Sequence, residues 1–256
     1  MKWLRQYGTS NAGRIRLLCF HYAGGTASMF RTWHTLLPEV IEPVAIQLPG
    51  RDDRHAEPPY ESMSELVPDL IDALTPILDK PFACYGFSMG ARVALALSYE
   101  LRTRGLPLPA KLFVASSAAP ALRLPVRGWD ESDEGLAAYM KELGGTSAVV
   151  FDHPDLLELF LPTVRADLKV VGTCPVPERE PLTVPIRAFA GNDDREASPA
   201  RMLPWGQETN AEFDLNILPG AHFFTDAGTA QMLSAVTKDL VSVSAVRTGR
   251  NTHEGC

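Results

Sequence analysis

Six short apolar runs, each bounded by turn-forming residues, punctuate the chain: Arg14 to His21 (RIRLLCFH), Pro43 to Leu48 (PVAIQL), Phe82 to Phe87 (FACYGF), Lys111 to Ser116 (KLFVAS), Val184 to Ala190 (VPIRAFA) and Glu212 to Leu218 (EFDLNIL). Each reads as a strand. Ser64 to Leu78, Met89 to Arg104, Pro199 to Gln207 and Thr229 to Val241 carry apolar residues at helical spacing. Strands alternating with helices predict crossover connections and a mostly parallel sheet covered on both faces, the α/β class.

Residues 118–181 break the alternation. They hold two helical patterns and no convincing strand, too long a stretch for a connecting loop. The first, Asp133 to Leu143, stops at Gly144-Gly145; the second begins at Pro154, a residue favoured at the first helical position. Leu156, Leu157, Leu159, Phe160, Leu161, Val164 and Leu168 spread over more than one face of that second helix, which predicts a helix that is enclosed or walls a cavity. An inserted helical lid over an active site fits this pattern.

With 256 residues, 45% of them hydrophobic and 21% charged, the chain supports a sizeable core. The expectation is one domain over residues 1–243, the lid inserted at about 118–181, and a disordered tail over 244–256. A net charge of −7 argues against a nucleic-acid footprint, which needs a basic face. Cys19, Cys84, Cys174 and Cys256 lie far apart, with no paired or metal-binding spacing, so a reduced, cytoplasmic protein without a bound metal is expected. Neither a secretory leader nor a membrane-spanning run is visible.

Candidate chemistry begins at Gly86-Phe87-Ser88-Met89-Gly90, a match to G-x-S-x-G. In this nucleophile elbow a strand turns sharply into a helix and presents the serine at the apex. Alone the pattern is weak; a strand pattern directly before it and the small Ala91, Ala94 and Ala96 after it strengthen the reading. A serine hydroxyl needs a base to take its proton and an acid to orient that base. In such folds the order along the chain is serine, acid, histidine. His153, His222 and His253 follow Ser88; His253 lies in the polar tail and His153 beside the Pro154 helix, where a cap or surface role suits it. His222 follows a strand and precedes the last helix, a suitable place for the base. Gly191-Asn192-Asp193-Asp194 ends the strand before it and offers the acid, with Asp194 preferred and Asp193 the alternative.

The oxyanion formed on attack needs two backbone N–H donors. Met89 supplies one, and Ala23, in the glycine-bearing loop His21-Tyr22-Ala23-Gly24-Gly25, is chosen for the other. His21 is read as a packing or substrate-contact residue. No phosphate-binding glycine motif accompanies the loop, so a nucleotide cofactor is not expected.

These residues lie within longer motifs: CFHYAGG (19–25), QLPGRDDR (47–54) with AEPP (56–59), YGFSMGA (85–91), LGGT (143–146), LPTVRAD (161–167) and GAHF (220–223). Together, from about Arg16 to Leu240, the chain resembles the stand-alone (type II) thioesterases of polyketide and non-ribosomal peptide synthases, members of the α/β-hydrolase superfamily. The resemblance implies a triad of Ser88, Asp194 and His222, oxyanion donors Ala23 and Met89, and no cofactor. It further implies a substrate acylated on the phosphopantetheine arm of an acyl or peptidyl carrier domain, removed as an editing reaction. The sequence does not determine the oligomeric state, and a monomer is the expectation. Two departures stand out: Phe87 where the family commonly has histidine, and uncharged Ser117-Ala118-Ala119-Pro120 where it often carries two arginines. Arg51, Arg54 and Arg92 are candidate contacts for an acidic carrier. A carboxylester hydrolase, an acyltransferase or cyclase, and a non-catalytic carrier-binding protein are the rival readings.

Overall fold

The computed structural model describes residues 2–8, 13–176 and 178–250, without the side chains of 244–250. Seven strands build one sheet: β1 (Leu4–Arg5), β2 (Ile15–Phe20), β3 (Ile41–Ile46), β4 (Phe82–Phe87), β5 (Leu112–Ala115), β6 (Ile186–Gly191) and β7 (Phe213–Leu218). Their spatial order is β1-β3-β2-β4-β5-β6-β7, and every pair is parallel except the short β1 against β3. All six predicted strands are present, with the second set two residues earlier than its apolar run. Strand β1 had no signal, because two residues carry no period.

Helices α1 (Trp33–Leu36), α2 (Met63–Leu74), α3 (Met89–Thr103), α4 (Asp133–Leu143), α5 (Ala148–Asp152), α6 (Pro154–Gly172), α7 (Pro199–Met202) and α8 (Asp226–Arg250) complete the chain. Successive strand side chains point to opposite faces, and the core divides accordingly. Leu18, Phe20, Val44, Ile46, Phe82 and Cys84 pack under α2 and α3 with Leu66, Leu70, Val93 and Leu97. The alternate residues Ile15, Leu17, Cys19, Ala83, Tyr85 and Phe113 pack on the other face with Trp33 and with Met232, Val236 and Leu240 of α8. Fully burying one such aliphatic or aromatic side chain contributes about 1.5–3 kcal/mol.

Four details depart from the sequence expectations. The pattern over 199–207 is not one helix: α7 gives way to 3-10 turns over Leu203–Glu208, with Pro204 inside them. Trp205 is fully buried there and its Nε1 donates to the Ser117 carbonyl at 2.6 Å, so tertiary contact outweighs the helical period. Residues 244–250 continue α8 rather than forming an irregular tail; residues 251–256 lie outside those described. The insertion between β5 and β6 holds α5 besides the two foreseen helices. Helix α6 is enclosed on one side only: Val164 and Leu168 are buried against Leu136, Tyr139 and Met140 of α4, whereas Leu156 and Leu159 face solvent.

From β2 the chain moves outward to β3, then crosses back to β4 on the other side of β2. That reversal makes a crevice beyond the carboxyl ends of β2 and β4, where parallel α/β sheets place their ligand sites. Phe20 of β2 is in register with Gly86 of β4, so the loops holding Ala23 and Ser88 emerge side by side.

Candidate active site

Ser88 joins β4 to α3 with φ +53° and ψ −113°, a region that side-chain-bearing residues rarely occupy. The turn closes so tightly that a Cβ on Gly86 would stand 2.3 Å from the Gly90 carbonyl oxygen, and one on Gly90 2.3 Å from the Phe20 carbonyl oxygen. Only glycine fits both places. The Ser88 N–H donates to the Ala115 carbonyl at 2.8 Å, fixing the apex to the neighbouring strand.

Strands β6 and β7 deliver the other two groups. Asp194 is buried, and its Oδ1 accepts the N–H groups of Glu196 and Ala197, both at 2.9 Å. Its Oδ2 lies 3.1 Å from His222 Nδ1, and His222 Nε2 lies 3.2 Å from Ser88 Oγ. A carboxylate only accepts, so Nδ1 carries the proton and Nε2 is left to accept the serine hydroxyl. Burial raises the Asp194 pKa, but the His222 hydrogen bond and charge and the two N–H donors outweigh it and hold the carboxyl below its ordinary value. The alternative acid, Asp193, is exposed. His153 is also exposed and makes no side-chain cap on α6.

Met89 is the first residue of α3, so its N–H has no acceptor within the helix. Ala23 and Ser88 line one branch of the cavity, about 50 Å³, with Tyr139, Met140, Leu143, Val164 and Leu168 of the inserted helices. The larger branch, about 290 Å³, contains Ser88, Met89 and His222, and runs past Arg92, Ser116 and Ser117 to Arg127 and Arg201. Tyr139 and Leu168 wall both branches. Phe87 stacks on Phe223 at 5.2 Å and meets the His222 ring edge-on at 5.9 Å, packing against the imidazole without entering its hydrogen bonds.

This arrangement places a hydroxyl, an imidazole and a carboxylate in one hydrogen-bonded line at the end of a covered cavity, the geometry with which a nucleophile, a base and an orienting acid can act together. Comparison with known proteins gives the same direction. The family model described as a thioesterase domain matches residues 15–240. The chain belongs to the thioesterase family. It is a serine hydrolase of α/β-hydrolase fold. The gramicidin S biosynthesis protein GrsT of Aneurinibacillus migulanus is 33% identical over 247 residues, 95% of this chain and 96% of its own. The structure of the RedJ thioesterase from the prodiginine pathway of Streptomyces coelicolor superposes with a TM-score of 0.84 at 35% identity, covering 89% of this chain and 91% of RedJ. The type II thioesterase BorB from the borrelidin cluster gives 0.84 at 30% identity, covering 93% and 97%.

Two of the three arginines considered as carrier contacts are not at the surface. Arg51 and Arg54 are 6% and 4% exposed. Arg54 is held by Glu57 and the Gln47 carbonyl and lies over the Trp3 ring; Arg51 is bound to Asp167 of α6. His21 is buried beneath the Ala23 loop, its Nδ1–H donating to the Tyr22 carbonyl at 2.8 Å, so it packs and does not meet substrate. Burial, reinforced by the Arg51 charge, lowers its pKa to about 4. The motifs QLPGRDDR and LPTVRAD contain Arg51 and Asp167, but nothing in their spacing says that the two side chains meet. Among the described residues no helix is long and apolar enough to cross a membrane, and no cluster of His, Cys, Asp or Glu is placed to hold a metal.

Proposed function

We propose that the protein removes acyl groups from the phosphopantetheine arm of acyl or peptidyl carrier domains, clearing misloaded or stalled chains in polyketide or non-ribosomal peptide synthesis. The observation that carries this reading is the hydrogen-bonded line Ser88–His222–Asp194 opening onto the covered cavity. Family membership and the names of GrsT, RedJ and BorB support the substrate class.

In the first half-reaction Ser88 Oγ attacks the thioester carbonyl carbon while its proton passes to His222 Nε2. The N–H groups of Ala23 and Met89 stabilise the charge that develops on the carbonyl oxygen. The tetrahedral adduct collapses with cleavage of the C–S bond, and the thiol leaves with the proton from His222. Water then attacks the acyl-serine, giving a proton to the same nitrogen, and the C–O bond to Ser88 breaks as the proton returns to Oγ. Asp194 keeps the imidazole oriented and stabilises its charged form without taking the proton.

The test is mass-spectrometric deacylation of a panel of acyl-carrier proteins, run beside simple aryl esters. Wild-type protein is expected to prefer the carrier thioesters, and Ser88→Ala to lose at least roughly 10⁴-fold in kcat. Near wild-type turnover by Ser88→Ala, or activity confined to the free esters, would overturn the proposal.

A further inference from the structure

Arg92 lies on α3 four residues after Ser88, one turn along the same face. Helical side chains lean toward the N-terminus, which carries its guanidinium back into the larger branch of the cavity. The other charges there are spoken for. Arg127 pairs with Glu142 at 3.1 Å and Glu196 at 3.3 Å, and Arg201 donates to the carbonyls of Arg195 and Glu196. Beyond the cavity wall, Glu208 accepts the Tyr99 hydroxyl at 2.8 Å and lies 3.9 Å from Arg179, itself stacked on Tyr99. Among the described residues lining this branch, Arg92 is the half-buried cation left with no hydrogen bond, ion pair or ring contact. Burial lowers its pKa, with Glu208 and Cys174 opposing and Arg179 adding to the shift.

A second unsatisfied group belongs to the lining of the same branch. Ser116 follows β5 directly and is fully buried, with φ +48°, and its Oγ has no partner. Buried polar groups are nearly always paired, and strained backbone of this kind gathers at functional sites. A half-buried cation with up to five donors and no partner, on a cavity branch beside the nucleophile, describes a site lacking its acceptor, and the strained Ser116 backbone lines the same branch.

We propose that Arg92, on the branch lined by Ser116, forms a carboxylate subsite that selects acyl groups bearing a carboxylate, the half-thioesters of short dicarboxylic acids. The proposal rests on the thioesterase reading and names the substrate class of its cavity. Four residues of helix rise only about 6 Å, so the subsite lies close to the scissile carbonyl and within reach of a short diacid. The phosphate of the pantetheine arm lies at the far end of that arm, two amides beyond the thiol. The branch, about 290 Å³, is of a size for a short chain.

The experiment compares succinyl and 4-methylpentanoyl thioesters, similar in shape and different in charge, each on pantetheine and on phosphopantetheine, with wild-type, Arg92→Met and Arg92→Lys proteins. Arg92→Met is expected to lose about 10- to 100-fold in kcat/KM on the succinyl substrate, the range for a hydrogen-bonded charge, and less than about threefold on the neutral one. Arg92→Lys should recover part of the loss. Equal losses on both substrates would make Arg92 a structural residue and overturn the proposal. So would a loss seen only with phosphopantetheine thioesters whatever the acyl group, which would place the anion on the arm. If Arg92→Met does not fold, protection of wild-type Ser88 from a fluorophosphonate gives the answer: the succinyl thioether of pantetheine must protect at least tenfold better than its neutral counterpart. Failure of wild-type protein to hydrolyse either thioester would defeat the thioesterase reading itself, a separate result.

Discussion

Arg51 and Asp167, 116 residues apart in the chain, form a buried two-point ion pair at 2.6 and 2.7 Å. The same groups hold the loop that carries Ala23, the proposed oxyanion donor. Asp167 Oδ2 accepts the Gly24 N–H at 2.8 Å, and Arg51 donates to the Gly25 carbonyl at 3.1 Å. The backbone immediately after Ala23 is thereby tied to helix α6, so the inserted helix and the proposed oxyanion donor share one support.

Asp167→Asn is expected to leave a buried cation without its counter-charge, costing about 3–5 kcal/mol in stability, and to lower kcat by roughly 10- to 1,000-fold with little change in KM. A trifluoromethyl ketone analogue, which forms a tetrahedral oxyanion on Ser88, should lose affinity by the same factor, while an unreactive thioether binds as before. The double substitution Arg51→Met with Asp167→Leu separates positioning from folding: stability returns in part, because the unpaired charge is gone while the Gly24 N–H and Gly25 carbonyl lose their side-chain partners, and kcat does not return. Recovery of kcat together with stability would show that the pair acts on the fold alone.

The choice between the two neighbouring acids is made by burial. Asp194→Asn leaves a side chain of the same shape that cannot hold the imidazole in the productive tautomer, and a fall of about 10⁴-fold in kcat is expected. Asp193→Asn should change kcat/KM by less than about twofold. Steady-state kinetics on an acetyl thioester decide it, and equal effects from the two substitutions would refute the assignment.

His21 makes stability depend on pH. Its pKa falls from 6.5 to about 4 on folding, so between these values the unfolded chain binds the proton and the folded one does not. Stability is therefore highest above pH 6.5, declines as the pH falls, and stops declining from this source near 4. The full effect is on the order of 3 kcal/mol. His21→Asn keeps a donor near the Tyr22 carbonyl and does not titrate. Urea midpoints measured from pH 7.5 to 4 should show a shallower decline for the variant; an identical decline would remove His21 as the cause.

Much of this molecule was legible from neighbouring residues. Apolar runs marked six of seven strands, Gly144 ended α4 as its position required, and the glycines flanking Ser88 announced a turn that has no room for a Cβ. The order serine, acid, histidine, with position after a strand, then pointed to Ser88, His222 and the neighbouring acids Asp193 and Asp194, because in a parallel sheet each strand delivers its following loop to the same edge. These are local rules, written in spacing and period. What only the tertiary structure decided is which distant side chains meet. Arg51, Arg54 and Arg92 look alike in sequence, yet the fold buries the first against Asp167, the second against Glu57 and Trp3, and leaves the third unpaired inside the cavity. Asp193 and Asp194 differ by one position, and only the placement of β7 beside β6 puts His222 within reach of one of them. Spacing along a chain fixes direction and period; burial and charge pairing depend on separation through space, which that spacing does not contain.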